Sequence, residues 1–168
     1  MQVLFYDYIE TPIGSLMLAG DGANLVELGF PAGKGARRHH PGWVFKPEIF
    51  AAARGQLVEY FAGQRRVFTI PIAPQGTEFQ LRVWGALVSI PYGETLSYGE
   101  LARQIGKPSA SRAVGAANGR NPIPIIIPCH RVIGASGRLV GFGGGLGVKQ
   151  KLLALEQEAI APTLFEQD

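Results

Sequence analysis

The chain has 168 residues, 46% of them hydrophobic and 17% charged, which lies in the globular range and suits one domain or two small ones with a buried core. Net charge is only +3, but it is unevenly spread: residues 1–78 carry seven basic and seven acidic side chains, residues 79–151 nine and two, and the last seventeen none and four. No apolar run approaches the roughly 20 residues of a membrane helix, and the longest, 123–127, is cut by Pro122, Pro124 and Pro128, so a transmembrane protein is excluded. Asp7 and Glu10 near the start argue against a secretory signal and for a cytoplasmic protein. A single cysteine, Cys129, makes no internal disulfide, and with three histidines there is no ligand set for a structural metal.

In chain order, residues 3–9, 15–19 and 24–30 are short β-rich runs separated by the turn compositions Thr-Pro-Ile-Gly and Gly-Asp-Gly-Ala, which predicts a meander. Residues 32–41, rich in Gly, Arg and His, read as a surface loop. Apolar residues at helical spacing (Ile49, Phe50, Ala53, Leu57, Tyr60, Phe61) predict a helix over 47–61, and 67–70 reads as a returning strand. Residues 71–76 have a linker's composition, which places the domain boundary between 73 and 74. Thr77-Glu-Phe-Gln80 fits a capping box that opens a helix ending before Pro91, and Ser97-Tyr-Gly-Glu100 repeats the pattern. Gly106-Lys-Pro-Ser109 then makes a tight turn whose serine caps a second helix over 110–118, so the pair spells helix-turn-helix. That second helix is small and carries Arg112 near its start. A final helix is predicted over 147–158, with Val148, Leu152, Leu153 and Leu155.

Cys129 is preceded by three prolines and four isoleucines, a stiff and apolar approach. A lone cysteine in such a run is commonly core. Against that, His130 and Arg131 follow directly and offer a titratable group and a fixed charge to a thiolate. Neighbouring side chains of extended backbone point to opposite faces, so a turn or a bridging water is needed to bring His130 to the sulfur. A histidine base also needs an acid to fix its tautomer. Glu156 stands out because its charge opposes the dipole of the last helix while it shares a face with Leu152 and Leu153. A salt bridge to an arginine or a frayed helix end explains it equally well. Arg112 reads as a phosphate contact, a side chain entering a base stack, or a solvated arginine. Asn121 reads as turn chemistry, and the run 141–147, with five glycines, offers close backbone approach to a ligand with Phe142 as its one ring.

With these residues in view, Ile127-Pro-Cys-His-Arg-Val132 resembles the active-site signature of the O6-alkylguanine-DNA alkyltransferases. Arg112-Ala-Val-Gly115, Asn121-Pro, Gly143-Gly-Gly-Leu146 and Leu152-Leu-Ala-Leu-Glu156 stand in the family's order and spacing, while the first domain is looser and rests on its Thr-Pro-Ile-Gly-Ser opening. The resemblance implies an α+β chain: an N-terminal β-sheet and helix domain of ribonuclease H-like type (1–73), then a helical C-terminal domain of winged helix-turn-helix type (74–168). It implies minor-groove binding of double-stranded DNA carrying O6-alkylguanine, with the damaged nucleotide flipped out. On matching positions, Cys129 becomes the alkyl acceptor, His130 its base through a water, Glu156 the group that orients His130, and Tyr98 a donor toward the leaving guanine. Arg112 fills the vacated stack, with Ser109, Ser111, Ala113 and Gly115 on the same DNA face. Asn121 ties the recognition helix to the active-site segment, and Val132, Phe142, Gly143 and Gly144 line the base pocket. Phe142 replaces a frequent tyrosine and Gly143 a serine of some members. No cofactor is implied, and a monomer in solution is expected, with cooperativity on DNA, O4-alkylthymine repair and the range of adducts left open.

The chemistry agrees with that assignment. A free thiol, with a pKa of about 8.5, needs a base or a cation to become a thiolate at neutral pH. A thioether has no hydrolytic exit, so one protein repairs one lesion. The basic stretch 79–151 supplies salt-sensitive affinity for phosphates. Two other classes stay in play: a module that binds alkylated DNA without repairing it, disfavoured by the presence of Cys129, and a cysteine hydrolase, which leaves the helix-turn-helix unexplained.

Overall fold

The computed structural model describes residues 3–33, 36–134, 142 and 145–161. Its N-terminal part is a four-stranded sheet in the order β3-β2-β1-β4. β1 (Phe5–Thr11) and β2 (Gly14–Gly20) form a hairpin; the Thr11 hydroxyl donates to the Gly14 carbonyl at 2.6 Å and Gly14 takes φ 108°, a conformation open to glycine. β3 (Leu25–Gly29) adds antiparallel to β2, and β4 (Val44–Phe45) adds parallel to β1 out of the stretch read as loop and its continuation. Alternation divides β2 between two cores: Leu16 and Leu18 face the main core, while Met17 and Ala19 pack with Leu4 and Val26 on the other face. A 3-10 turn over Pro47–Phe50 leads into α1 (Ala51–Phe61), whose Ala53, Leu57 and Tyr60 are buried against the sheet.

The predicted strand over 67–70 is not formed. The chain instead meets β3 slightly later, where the Leu25 amide donates to the Pro71 carbonyl and the Ala73 amide to the Leu25 carbonyl, both at 2.9 Å. Pro71 has no amide of its own to extend a ladder, so the pairing stays a single bridge.

Both capping boxes are present. Thr77 and Gln80 open α2 (Glu78–Val88), and Ser97 and Glu100 open α3 (Tyr98–Gln104). Gly106, at φ 80°, ends the α3 turn. α4 (Ser111–Gly119) starts one residue later than predicted and Ser109 does not cap it; the cap position is Ala110, whose amide is held by the Lys107 carbonyl at 2.9 Å. The turn closes on backbone alone, leaving both serines exposed. The buried Trp84 indole donates to the Ala117 carbonyl at 2.8 Å and locks α2 to α4. A Cβ at Gly76 would lie 2.6 Å from the Trp84 ring, so glycine there is what lets the linker cross it. β5 (Leu96–Ser97) pairs parallel with β6 (Val132–Ile133), and α5 (Leu146–Ile160) closes the domain. One hydrophobic core runs from Leu16 and Tyr60 through Trp84 and Ile127 to Leu152, so the two domains are packed as one body. Among the described residues, no helix is long and apolar enough to cross a membrane.

Candidate active site

The segment that carries Cys129 is fastened at each step. Beyond α4, the Asn121 side chain accepts from the Ile123 amide at 2.9 Å and donates to the Ile127 carbonyl at 2.7 Å, spanning the loop between them. The Leu28 amide of β3 donates to the Pro122 carbonyl at 2.8 Å, so the N-terminal sheet holds the start of the segment. Ile123, Ile125 and Ile127 are buried, and Ile125 sits at φ 76°, a left-handed conformation that a β-branched residue keeps only when its surroundings impose it. After Pro128 the chain makes a 3-10 turn over Cys129–Arg131. A turn was one of the two ways to bring His130 toward the sulfur, and this one removes the simple alternation of an extended strand.

His130 and Glu156 are both buried, and His130 Nε2 lies 2.6 Å from Glu156 Oε2. Glu156 is the hub of the cluster. It also takes the Tyr60 hydroxyl at 2.6 Å, the Gly93 amide at 3.1 Å, and a two-point contact from Arg131, Nε at 2.9 Å and Nη2 at 3.1 Å. The two readings of Glu156 therefore hold together: it partners the histidine and forms a buried salt bridge to an arginine. Burial pushes its carboxyl up, but the hydrogen bonds from His130, Arg131 and Tyr60 outweigh this and bring it down to about 2. An ionised Glu156 only accepts, so the proton on His130 belongs on Nε2 and the lone pair on Nδ1. Burial holds the imidazole below its ordinary pKa against the opposing pull of Glu156, which keeps it a neutral base near pH 7. Nδ1 is buried and has no hydrogen-bond partner among the described residues.

Arg131 is not the cation that serves the thiol. Its guanidinium is spent on Glu156 and on the Ile90 carbonyl, 2.7 Å from Nη1. The positive charge that acts on Cys129 is Lys149 of α5, wholly buried, with Nζ 2.6 Å from the Val132 carbonyl. Lys149 was given no role from sequence; its i, i+3 spacing from Leu152 on the buried face was the available signal. Burial raises the Cys129 thiol to about 11, with the Asn121 hydrogen bond and the Lys149 charge pulling the other way. The resting nucleophile is a thiol. Tyr98 is raised by burial and by the Cys129 charge, while a hydrogen bond from Asn118 pulls it down, so its hydroxyl is protonated.

Cys129 opens onto a cleft of about 200 Å³ at the domain seam, lined also by Gly29, Phe30, Arg37, Arg120 and Asn121. Arg37 lies in the stretch read as a plain surface loop; its backbone amide donates to the Phe30 carbonyl at 2.9 Å, which turns it back onto β3. The larger cleft, about 510 Å³ between β1 and α1, does not include Cys129 and is lined largely by Ile9, Pro12, Leu57, Val58 and Phe61. Val132 is buried behind the turn, and the Phe142 ring meets Phe30 edge-on at 5.8 Å. Gly143 and Gly144 lie outside the described residues. Ser109, Ser111, Arg112 and Ala113 are exposed along α4 and the turn before it, and Gly115 is half-buried, a Cβ there meeting the Tyr98 ring at 3.7 Å. The exposed residues of α4 thus form an outer surface, and Gly115 on its inner side lies against the Tyr98 ring. Among the described residues, no three His, Cys, Asp or Glu side chains gather to hold a metal.

This architecture has relatives. Residues 4–74 match the family model described as "6-O-methylguanine DNA methyltransferase, ribonuclease-like domain", and residues 78–158 match "6-O-methylguanine DNA methyltransferase, DNA binding domain". A methylated-DNA–protein-cysteine methyltransferase of Methanosarcina acetivorans is 53% identical over 91% of this chain and 98% of its own. One of Mycobacterium bovis is 52% identical over 98% of this chain and all of its own. Among solved structures, the Mycobacterium tuberculosis O6-methylguanine methyltransferase superposes with a TM-score of 0.86 at 49% identity, covering 99% of this chain and 100% of that one. The M. tuberculosis OGT in complex with DNA gives 0.85 at 52% identity over 92% and 94%. With both halves matched in order and half the residues identical across nearly the whole length, the chain belongs to the 6-O-methylguanine DNA methyltransferase family.

Proposed function

We propose that this protein repairs DNA by direct reversal, moving the alkyl group of O6-alkylguanine in double-stranded DNA irreversibly onto Cys129. The observation that carries the reading is the buried Cys129-His130 turn at the domain seam, with His130 fixed on Glu156 and α4 on the outer surface above it. The activity is that of the family, a suicidal methylated-DNA–protein-cysteine methyltransferase acting on DNA. The matched segments 4–74 and 78–158 leave the boundary between 74 and 78, next to the 73/74 division read from the linker.

In the proposed reaction, α4 enters the minor groove, and Arg112 fills the stack left by the flipped nucleotide, with Ser109, Ser111, Ala113 and Gly115 against the backbone. Extrusion costs a few kcal/mol, less for an alkylated and poorly paired base. The Cys129 proton passes through a water to His130 Nδ1, and the resulting imidazolium is held by the carboxylate of Glu156. The thiolate, facing Lys149, attacks the alkyl carbon; the carbon–O6 bond breaks, its electron pair enters the purine, and the Tyr98 hydroxyl donates toward the purine as charge develops. Asn121 holds the segment and the sulfur, with Val132 behind the turn and Phe142 toward the base pocket. No cofactor takes part, and the protein works as a cytoplasmic monomer.

The test is intact-protein mass spectrometry after incubation with a duplex carrying one O6-methylguanine. A stoichiometric gain of one methyl group, mapped to Cys129 and absent from Cys129→Ser, is expected. Tight binding to the duplex with no mass gain would overturn the transfer reading.

A further inference from the structure

We propose that Tyr60, on α1 of the N-terminal domain, is a positioning residue that sets the basicity of the His130-Glu156 pair, so that the first domain takes part in alkyl transfer. The inference rests on the reading of Cys129 as the alkyl acceptor.

Three donors converge on one oxygen of Glu156. Oε2 takes the Tyr60 hydroxyl at 2.6 Å, His130 Nε2 at 2.6 Å and Arg131 Nη2 at 3.1 Å, whereas Oε1 takes the Gly93 amide and Arg131 Nε. A carboxylate oxygen offers about two lone-pair sites, so donors on Oε2 compete for its charge. Tyr60 is a fixed donor: it is 1% exposed, and burial together with the neighbouring Glu156 charge pushes its phenol far above the ordinary tyrosine range. Every unit of charge it draws from Oε2 is withheld from the imidazolium that forms when His130 accepts a proton. Arg131 and Gly93 already orient the carboxylate from its own domain, so orientation alone does not need Tyr60. What the hydroxyl adds is a weaker pull on the His130 proton, which keeps the imidazole neutral and able to act as base.

The other groups around the pair stay in place if only the hydroxyl is removed. Arg131 and Lys149 both act against protonation of His130, and Cys129 lies on the adjoining residue. Tyr92 packs edge-on to the Tyr60 ring at 6.2 Å, with the Arg131 and Arg66 guanidinium groups over its own ring. The Tyr60 ring is further held by Phe61 and Phe68 through contacts that phenylalanine keeps. If Tyr60 were only a packing element between the domains, losing its oxygen would leave the titration of His130 where it is.

Single-turnover methylation of Cys129 by an O6-methylguanine duplex, followed against pH, separates these roles. In Tyr60→Phe the acidic limb of the rate profile moves up by about one unit, so the variant is roughly tenfold slower at a pH below the limb, since one charge-assisted hydrogen bond is lost from the pair. Fluorotyrosine at position 60, which keeps ring and hydroxyl and donates more strongly, moves the limb to lower pH and serves even if the phenylalanine variant folds poorly. Limbs that coincide with wild type, or that move the same way in both variants, overturn the proposal. Wild-type protein that gains no methyl group would refute the transfer reading itself.

Discussion

Glu156→Gln strands the Arg131 guanidinium in the core, and its cost follows from the geometry. The substitution keeps shape but removes the charge that takes five hydrogen bonds, from Tyr60, Gly93, His130 and twice from Arg131. Breaking a buried ion pair from one side costs about 3–5 kcal/mol, a large share of a domain stability of about 5–15 kcal/mol. With a urea dependence of about 2 kcal/mol/M, the midpoint falls by roughly 1.5–2.5 M. The same carboxylate has a signature in acid. Its folded pKa is depressed from 4.5 to about 2, so its stabilisation is complete above the unfolded value and disappears as pH falls from about 4.5 to 2, a change of order 3 kcal/mol. Urea melts at pH 7 and in steps down to pH 2 should therefore show wild type losing its advantage over Glu156→Gln across that window. Curves that run parallel from pH 7 to pH 2, or equal midpoints at pH 7, would refute the hub. Because the variant also disturbs His130, its transfer rate is read only below its unfolding midpoint; there it is slowed while DNA affinity is kept.

Three further outcomes are expected. Cys129 is held protonated in the fold, so wild type loses stability relative to Cys129→Ser as pH rises from about 9 to about 11, and parallel alkaline melts would show the thiol is not held up. Lys149→Met removes a buried cation whose charge acts on Cys129 and slows methyl transfer near pH 7, moving the rise in rate with pH to higher values; an unchanged profile in single-turnover assays would take Lys149 out of the chemistry. Arg112→Ala, on the exposed side of α4, changes stability by less than about 0.5 kcal/mol. It slows transfer from duplex DNA and leaves transfer from a free O6-alkylguanine base unaltered, whereas equal slowing on both substrates would remove Arg112 from base flipping.

What was legible in the sequence was whatever depends on local chemistry. Capping boxes at Thr77 and Ser97 act within four residues, and both formed. The three N-terminal strands carried their turns with them. The misses depend on partners distant in sequence. β4 is two residues long and exists because the Val44 amide finds the Leu4 carbonyl at 3.0 Å. The apolar stretch before Pro71 had β composition, but its segment meets the β3 edge only in a single bridge of Ile72 to Leu25, where Pro71 has no amide to extend a ladder. At the site, Cys129, His130 and Glu156 were visible as types in a motif, yet Arg131, whose charge adjacency offered to the thiol, is spent on Glu156, and Lys149, which was given no role, carries a charge that acts on Cys129. Tyr60 was visible only as one apolar position of a helix. Nothing local marks a tyrosine whose hydroxyl reaches a carboxylate 96 residues away.

The cluster is arranged against premature ionisation. A thiol held near 11 would be a poor resting nucleophile, and a strong base beside it would deprotonate it without DNA, exposing a single-use acceptor to any electrophile. In the proposed reaction, burial of Cys129 and a weakened His130 avoid this: burial holds both toward their neutral forms, and the proton moves when imidazolium against Glu156 and thiolate under the Lys149 charge are stabilised together with a leaving group. The Glu156 charge is therefore divided among Arg131, Tyr60 and Gly93 instead of being given to His130 alone, and the strength of the base is set by how many donors share one carboxylate. By this logic, strengthening the base raises reactivity toward small alkylating agents in solution. That reaction consumes the acceptor without repair, which gives a single-turnover protein a physical reason to keep His130 weak.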